Sequence, residues 1–361
     1  RFALYYYQLM GFEIYFALSI EQLGEHLKEI KPHFIPVVPR LLEKIYDKIV
    51  DKGSQLSTIK KILFYWSLDL GNRYKPYKEN GWWYEFQLKI ARKLVFVKWR
   101  EAMGGHIKFV VSGSAPLQHR LIRVFTAAGI PVFEGYGMTE SSPGISINDF
   151  RNGGFKIGTV GRILDDMKVK IASDGEILLK GSNVMQGYYK NPKLTDETIV
   201  DGYLHTGDIG ELDNEGFLTI TDRKKEMFKT SGGKYIAPSV LEGKLKTSRF
   251  IEQVMVVGEG EKMPAAIIQP NFEFLSSWIQ RKEIVCEPTN EAMICNKRVL
   301  KRIKKEVNII NETFGQFEKI KAFELTSEIW SIDNGLLTPT LKIKRKNIKS
   351  HFQDLYDTIY R

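Results

Sequence analysis

The sequence predicts an α/β protein with more than one globular domain, and three observations predict it. Its 361 residues, 43% of them hydrophobic, are enough for more than one buried core. Residues 108–133 read as strand, turn, helix and strand, an order that favours a sheet with ligands at the carboxyl ends of its strands. Further on, short β-type runs alternate with Gly, Asn and Asp turns.

These changes along the chain predict three regions. We expect an α/β domain over residues 1–160, a β-rich subdomain over 161–222, and a small domain of mixed helices and strands over 223–361. In the small domain, residues 254–257 read as a strand, residues 299–310 as a helix, and a terminal helix follows Lys346.

Two apolar segments precede the first clear strand. Residues 2–20 are Tyr-rich, but Gln8, Gly11 and Glu13 interrupt them, so we expect a buried helix and a buried strand rather than a membrane span. Residues 52–99 contain four tryptophans and predict a helical excursion that lines an apolar cavity, although core packing is the simpler expectation for each Trp. Because the sequence begins at Arg1 without a Met, we expect a truncated start.

Charge and cysteine content limit the class of protein. The formal charge of +10 suits polyanionic ligands or an anionic membrane face. The basic residues form neither a known nucleic-acid module nor one dense stripe, so a nucleic-acid partner is not expected. The two cysteines, Cys286 and Cys295, have no zinc-ligand spacing and form no disulfide framework, which favours a cytoplasmic location.

The loop at residues 134–140 is the first candidate for chemistry. Thr139 and Glu140 place a hydroxyl and a carboxylate beside glycines, where backbone can approach a ligand closely. The hydroxyl suits a phosphate, and the carboxylate suits Mg²⁺, which prefers one or two carboxylates together with phosphate oxygens and water. An ordinary polar turn explains the same residues.

Charged residues later in the chain give further candidates. Asp208 can accept hydrogen bonds from both hydroxyls of a ribose, and Arg223 can reach a phosphate, although a turn and a solvated linker are the simpler readings. Residues 229–234 can present backbone N–H groups to an anion but lack the spacing of a Walker loop. The basic run that contains Lys342 is by itself typical of a solvated face.

Taken together, these segments resemble the adenylate-forming superfamily of acyl-CoA synthetases, and within it the long-chain fatty acyl-CoA synthetases. The matching motifs occur in family order at residues 38–44, 112–116, 134–140, 181–189, 205–208, 222–234 and 337–342. The resemblance implies a large adenylation domain, formed by the α/β sheet and the β subdomain, followed by a small mobile C-terminal domain. It also implies that a fatty carboxylate is joined to the α-phosphate of ATP with Mg²⁺, and that the acyl group is then transferred to coenzyme A.

The resemblance also assigns roles to residues. It implies that Thr139 binds phosphate, Glu140 holds Mg²⁺, Tyr136 lies against the adenine and Asp208 takes the ribose hydroxyls. Further roles follow for the walls of the nucleotide and acyl sites (Gly113, Ser114, Ala115), a ribose contact (Arg223), the hinge (Asp222), the pantetheine segment (Gly232, Gly233) and the adenylation lysine (Lys342).

The family pattern also leaves alternatives. The Ser/Thr/Gly-rich phosphate loop of the family, with its Lys, is expected upstream of Arg1 and is not in this sequence. A fatty acyl-AMP ligase or another adenylate-forming ligase is the alternative enzyme. A lipid- or membrane-binding fragment without catalysis is the alternative of a different class. We expect a cytoplasmic protein with peripheral association at the inner membrane face.

Overall fold

The computed structural model describes residues 2–19 and 22–361. These residues divide into two compact units, the first comprising the chain up to Thr206 together with Gly210–Ile220, the second comprising Gly207–Ile209 and Thr221–Arg361. The expected domain boundaries at residues 160 and 222 stay predictions. The expectations for Arg1, as a truncated start, and for Ile20 lie outside the described residues.

The first unit contains a helical layer, a mixed sheet and a β-rich part. Its helices are α1 (Phe2–Leu9), α2 (Leu23–Ile30), α3 (Pro39–Ser54), α4 (Thr58–Asn72), α5 (Gly81–Ala91), α6 (Val97–Ala102), α7 (His119–Ala127) and α8 (Pro192–Thr198). Its strands are β1 (Phe34–Val37), β2 (Phe109–Ser112), β3 (Val132–Gly137), β4 (Gly144–Ile147), β5 (Arg162–Ile163), β6 (Met167–Ile171), β7 (Glu176–Gly181) and β8 (Ile199–Val200). Two further strands run from this unit into the second, β9 (Tyr203–Leu212) and β10 (Leu218–Arg223).

A five-stranded sheet in the order β1-β2-β3-β4-β5 organises the first unit. β1, β2 and β3 are parallel, and β4 and β5 are antiparallel to their neighbours. Helix α7 connects β2 to β3 and buries Leu121, Val124 and Phe125, as its apolar spacing requires. The predicted strand, turn, helix and strand over residues 108–133 are therefore confirmed.

The helices predicted over residues 52–99 are also confirmed, since α4, α5, a π turn at Arg92–Phe96 and the start of α6 occupy this segment. The apolar cavity that they were expected to line stays a prediction. Trp99 is buried, as expected for a core residue. The packing expectation is wrong for Trp82 and Trp83, which are 79% and 56% exposed. Both lie on the face of α5 opposite its buried Tyr84 and Leu88, so helix direction overrides the general tendency of Trp to be buried.

The expectation of a buried helix and a buried strand at the start is wrong in part. Residues 2–9 form α1, but no strand follows within residues 10–19, and Leu9 and Phe16 are 84% and 78% exposed. Apolar composition leads to burial only where packing partners exist, and here the rings of Tyr7 and Phe12 contact Phe34. No helix within residues 2–19 and 22–361 has the length and hydropathy that crossing a membrane requires.

The β-rich part has a sheet in the order β10-β9-β7-β6, with β8 paired to β9. Ile177 and Leu179 of β7, Leu204 of β9 and Leu218 of β10 form its core together with Ile145 of β4. Within β7, Ile177 and Leu179 are two residues apart, and this is the spacing of side chains on one face of a strand.

The second unit is a small α+β domain. Its elements are β11 (Phe228–Lys229), β12 (Tyr235–Ile236), α9 (Pro238–Leu245), β13 (Ile251–Val257), β14 (Ala265–Pro270), α10 (Phe272–Arg281), α11 (Asn290–Cys295), α12 (Lys297–Asn311), β15 (Ala322–Leu325), α13 (Arg345–His351) and α14 (Gln353–Tyr360). The sheet β13-β14-β15 is covered on both faces, because Val254 and Val256 belong to one core and Met255 and Val257 to the other. The predicted strand at 254–257, helix at 299–310 and terminal helix are confirmed.

Candidate functional site

The first group of candidate residues follows the carboxyl ends of β2 and β3. Ser112 and Glu134 are register partners in these parallel strands, so the loop at residues 113–116 and the one after Gly137 leave the same edge of the sheet. The two chains approach closely, since a Cβ on Gly113 would lie 3.3 Å from the carbonyl oxygen of Gly135. Ser114 is exposed and adopts a φ of 73°, which turns the chain towards α7.

Thr139 and Glu140 lie in a short 3-10 turn, Thr139–Ser141, directly after β3. Gly137 permits this turn, because a Cβ there would lie 1.3 Å from the carbonyl oxygen of Pro143. Thr139 is exposed, and the half-buried Glu140 accepts a hydrogen bond through Oε1 from the Tyr188 hydroxyl at 3.0 Å. The sequence therefore leads to an accessible hydroxyl beside an oriented carboxylate.

The segment at residues 181–189 braces this turn, a function that its motif alone did not indicate. Asn183 donates from Nδ2 to the carbonyl oxygens of Ser141 and Gly144 at 2.8 and 2.7 Å. The Met185 amide donates to the carbonyl oxygen of Glu140 at 2.8 Å. The occurrence of both motifs in one ordered set was the signal that could have linked them.

Tyr136 lies half-buried in β3, opposite Ser146 of β4, and packs against the core of the β-rich part. This packing fixes the ring close to the Thr139 turn. Its expected contact with an adenine stays a prediction.

Glu134 is a buried titratable group that sequence reasoning left without a role. Its Oε1 accepts a hydrogen bond from the Leu117 amide at 3.4 Å, across the loop at residues 113–116. Burial raises the pKa of Glu134 to about 8, and the Leu117 hydrogen bond only partly opposes that shift. The neighbouring Ser112 hydroxyl is buried and finds no hydrogen-bond partner among the described residues.

The second group of candidate residues belongs to the second unit. Asp208, in the middle of β9, is buried, and its Oδ1 accepts a hydrogen bond from Nε of Arg223 at 2.9 Å. The Arg223 side chain at the end of β10 is 53% exposed, so the guanidinium can also contact a ligand. The Asp is therefore part of a strand and an ion pair, and the simpler reading of a turn is wrong.

Lys342 lies in a tight loop within electrostatic range of this pair. Its amide donates to Oγ1 of Thr338 at 3.0 Å, and the Thr338 amide donates to the Lys342 carbonyl oxygen at 2.8 Å. Desolvation by surrounding protein atoms is the largest effect on Lys342 and lowers its pKa. The Arg223 guanidinium lowers the pKa further, and the Glu226 and Asp208 carboxylates raise it. The side chain is exposed, so water screens part of these effects.

Asp222 lies at the end of β10, and its Oδ1 accepts hydrogen bonds from the Ser239 hydroxyl at 2.6 Å and the Arg223 amide at 2.7 Å. The other oxygen, Oδ2, is buried and has no hydrogen-bond partner among the described residues. Burial raises the pKa of Asp222, and the two hydrogen bonds oppose the shift. Its expected role as a hinge stays a prediction.

Arg345 corrects the reading of the basic run as a solvated face. Its guanidinium donates to both carboxylate oxygens of Glu242, at 2.8 and 2.7 Å, and to Glu226 at 3.2 Å. Burial acts against its charge, but the Glu242 and Glu226 carboxylates outweigh burial and raise the pKa of Arg345. Glu242 and Glu226 precede Arg345 by 103 and 119 residues in sequence, so the spacing of residues could not reveal these pairs.

Gly232 and Gly233 form the exposed turn of the β11–β12 hairpin. Gly233 has a φ of 78° and its amide donates to the Thr230 carbonyl oxygen at 2.9 Å. The next helix, α9, begins with Pro238, as expected for a first helical turn. The candidate residues therefore form two groups. Asp208, Arg223 and Lys342 lie in the second unit, and the residues that follow β2 and β3 lie in the first.

Among the described residues, no cluster of three or more His, Cys, Asp or Glu could hold a metal ion. Glu140 nevertheless fits Mg²⁺, which often takes one carboxylate and completes its shell with nucleotide phosphates and water.

Comparison with known proteins gives consistent results along the chain. Residues 2–189 match the model of the AMP-binding enzyme family, and residues 226–361 match that of the AMP-binding enzyme C-terminal domain. The chain is 34% identical over 351 residues to long-chain-fatty-acid–CoA ligase FadD15 of Mycobacterium bovis, covering 96% of this chain and 57% of that protein. It is 35% identical over 369 residues to human long-chain-fatty-acid–CoA ligase 1, covering 96% of this chain and 50% of that protein.

Solved structures share the fold. The adenylation domain of a carboxylic acid reductase from Segniliparus rugosus, in complex with AMP and a co-purified carboxylic acid, matches with a TM-score of 0.69 and 20% identity, covering 95% of this chain and 49% of that one. The o-succinylbenzoate CoA synthetase of Bacillus subtilis, in complex with its acyl-adenylate intermediate, matches with a TM-score of 0.62 and 20% identity, covering 96% and 57%. The chain spans about half the length of the curated relatives it matches.

Proposed function

Because the chain belongs to the family of AMP-binding enzymes, we propose that its protein is an ATP-dependent, AMP-forming long-chain fatty acid–CoA ligase. A fatty carboxylate oxygen attacks the α-phosphorus of ATP and pyrophosphate leaves. The sulfur of coenzyme A then attacks the acyl carbon of the adenylate, and AMP leaves. Long-chain fatty acid, ATP and coenzyme A are the substrates of this proposal.

One observation carries the proposal furthest. Asp208 and Arg223 are 15 residues apart and Lys342 is far from both in sequence, yet all three lie in one unit and within electrostatic range of one another. A nucleotide needs acceptors for its ribose and cations for its phosphates, and this cluster supplies both. The Lys342 ammonium would approach two anionic reactants and stabilise the charge that develops between them. Surrounding protein atoms and Arg223 lower its pKa, and the negative charge of bound reactants would act in the opposite direction.

The first unit supplies the complementary chemistry. Thr139 presents an exposed hydroxyl for a phosphate, and the oriented carboxylate of Glu140 would hold Mg²⁺. Bound Mg²⁺ would neutralise charge on the transferring phosphates. Tyr136 would lie against the adenine, and residues 113–115 would form walls of the nucleotide and acyl sites.

The second unit is proposed to move between the two steps, with Asp222 as the hinge residue. Its buried, unpartnered Oδ2 supports this role, since a buried polar atom without a hydrogen bond is costly and favours a rearrangement that supplies a partner. The exposed Gly232–Gly233 turn would approach the pantetheine arm. We also propose the domain boundaries at residues 160 and 222.

The deciding experiment measures AMP release by the full-length protein with a panel of carboxylic acids, with and without coenzyme A. Release that requires both a long-chain acid and coenzyme A supports the proposal. Release of pyrophosphate without thioester formation would assign the protein to the fatty acyl-AMP ligases. For the 361-residue chain, a non-hydrolysable palmitoyl-adenylate analogue should raise the melting temperature.

The membrane is the remaining partner of the proposal. The net charge of +10 and the exposed apolar side chains support peripheral association with an anionic membrane face, at the cytoplasmic side. This association is independent of the chemistry assigned to the two units.

A further inference from the structure

Helix α5 has two apolar faces, only one of which is covered. Tyr84, Leu88 and Ala91 are buried in the core of the first unit. On the opposite side, the exposed fractions are 79% for Trp82 and 52% for Phe86. Contiguous exposed apolar side chains mark a surface that contacts a partner or a membrane, so the outer face of α5 is a candidate interaction surface.

The outer face forms a continuous stripe. Trp83, Phe86, Ile90 and Leu94 follow one another at intervals of three and four residues, and all four are exposed. The rings of Trp82 and Trp83 are 5.6 Å apart edge to face, and those of Trp83 and Phe86 are 5.6 Å apart and stacked. We call this set the aromatic stripe, and it consists of Trp82, Trp83, Phe86, Ile90 and Leu94.

The neighbouring helix α4, which packs against α5, adds exposed apolar side chains of its own. The Tyr84 hydroxyl donates to the Leu70 carbonyl oxygen at 2.7 Å, which joins the two helices. On α4, Ile59 and Ile62 are 75% and 64% exposed. Exposed apolar surface on adjacent elements marks an interaction site rather than isolated surface residues.

The charges around the stripe identify the partner. Residues 56–98 contain nine Lys and Arg but only three Asp and Glu. Lys89 and Lys93 are exposed on α5 and the π turn, one on each side of Ile90 in sequence. Tryptophan rings favour the boundary between hydrocarbon and water, and lysines there extend to anionic headgroups.

Helix α12 shows that positive charge alone is a different feature. It is also strongly basic, but it contains no aromatic residue, and Val299, Ile303 and Val307 are buried in the second unit while Leu300 and Ile309 are exposed. Positive charge and exposed aromatic rings coincide at α5 and do not coincide at α12.

We propose that the aromatic stripe of α5, with Lys89 and Lys93, is a binding surface for an anionic lipid bilayer. The 11-residue helix lies in the plane of the interface, since about 20 residues are needed to span a bilayer. The proposal rests on the peripheral association proposed above and names the surface that performs it. A fatty acid substrate partitions into the same bilayer, so the surface would place the enzyme where that substrate is concentrated.

The test is sedimentation of the 361-residue chain with vesicles of phosphatidylcholine alone, or mixed with phosphatidylglycerol. The chain should sediment with the mixed vesicles. Trp82→Ser/Phe86→Ser should weaken that binding by about tenfold or more, because binding scales with the apolar area inserted. The matched control Val285→Ser/Ile309→Ser removes exposed apolar side chains of the second unit and should bind as the parent chain does.

Charge reversal gives the second comparison. Lys89→Glu/Lys93→Glu should weaken binding to the mixed vesicles more than Lys301→Glu/Lys305→Glu, which alters exposed lysines of α12. Equal effects of the two pairs, unchanged binding of Trp82→Ser/Phe86→Ser, or no binding of the parent chain to any vesicle would each overturn the proposal. If the chain instead self-associates through the stripe, and the serine variant is monomeric, the surface binds protein. The adenylate-analogue melting shift is read separately, so failure here leaves the ligase proposal intact.

Discussion

The two groups of candidate residues are built differently. In the first unit, glycines, a 3-10 turn and the Asn183 amide hold Thr139 and Glu140, so backbone geometry dominates. In the second unit, Asp208 and Arg223 hold each other by opposite charge, with Lys342 nearby. We therefore expect the geometry of the first group to tolerate changes of charge around it. The geometry of the second group should change when any single charge is lost.

The largest effect is expected from Arg345→Met in the second unit. Removal of the guanidinium leaves the buried Glu242 carboxylate without its two-pronged partner, which should lower the free energy of unfolding by about 3–5 kcal/mol. Urea unfolding of the chain measures this change. The exposed Lys346→Met is the matched control, and an equally small effect of both would contradict the importance of the ion pair.

Lys342→Ala should act on chemistry instead of stability. In the full-length protein, adenylation should slow by about 100–1,000-fold, or about 2.7–4 kcal/mol, because a positioned cation no longer stabilises the charge that develops between carboxylate and phosphate. Pyrophosphate release measures the first step, and thioester formation from supplied palmitoyl-adenylate measures the second, which should change little.

The control for Lys342 is Lys344→Ala, since the buried pairing of Arg345 makes that neighbour unsuitable. Normal pyrophosphate release by Lys342→Ala would refute the assignment. Equal damage to both half-reactions would do so as well.

Asp208→Ala should weaken the binding of ATP and AMP alike. Each charge-assisted hydrogen bond to the ribose contributes about 1.5–3 kcal/mol, and the buried partner of Arg223 is lost as well. Calorimetric titration of AMP into the full-length protein measures the loss. Asp213→Ala removes an exposed ion pair with Lys156 and should leave AMP affinity unchanged. If both variants bound AMP as the wild type does, Asp208 would have no ribose contact.

Glu134 tests the first unit through pH. Its folded pKa of about 8 exceeds the ordinary value of 4.5, so the folded state binds the proton more tightly and its contribution to stability falls as pH rises from about 4.5 to 8. The slope should be at most about 1.4 kcal/mol per pH unit. Melting temperatures of the parent chain and Glu134→Gln between pH 5 and pH 8 should diverge, and parallel profiles would show that the carboxyl does not titrate there.

The smallest effect is expected from Tyr188→Phe. It removes one hydrogen bond to the Glu140 carboxylate, and because both side chains are half-buried and water can replace the lost donor, we expect the low end of the range for a charge-assisted bond, about 1.5 kcal/mol. Adenylation at limiting Mg²⁺ should fall by at most about tenfold, while Tyr189→Phe should be neutral because that side chain is 87% exposed. A loss comparable to that of Lys342→Ala would show that the first group also depends on single side chains.

Sequence patterns predicted much of the fold because strands and helices here follow local periodicity. The strands at 108–112 and 254–257 and the helix at 299–310 were found from apolar spacing alone. Exposure could not be found in this way. The apolar residues of α1 and α5 were expected in the core, but several of them are exposed. Which faces of a helix are covered depends on its neighbours in the folded chain.

The same division applies to the candidate site. The motif order predicts roles for Thr139, Glu140, Asp208, Arg223 and Lys342, because each side chain type matches what a nucleotide and a carboxylate require, and these roles stay predictions. It could not identify Asn183 and Tyr188, whose side chains hydrogen-bond the Thr139 turn. Such supports act through space, and their hydrogen bonds connect positions as far apart as 48 residues.

By itself, the sequence determined the order of elements, the family and the kinds of side chain available for chemistry, since all three are written in local patterns. Only the tertiary structure decided which charges meet. Arg345 changed from a residue of a basic run to the partner of two carboxylates, the buried Glu242 and the half-buried Glu226, which lie 103 and 119 positions away. Burial raised the pKa of Glu134 to about 8, and surrounding protein atoms together with the Arg223 guanidinium lowered that of Lys342. No sequence spacing specifies these shifts, because they depend on the atoms and charges that the fold brings around a group.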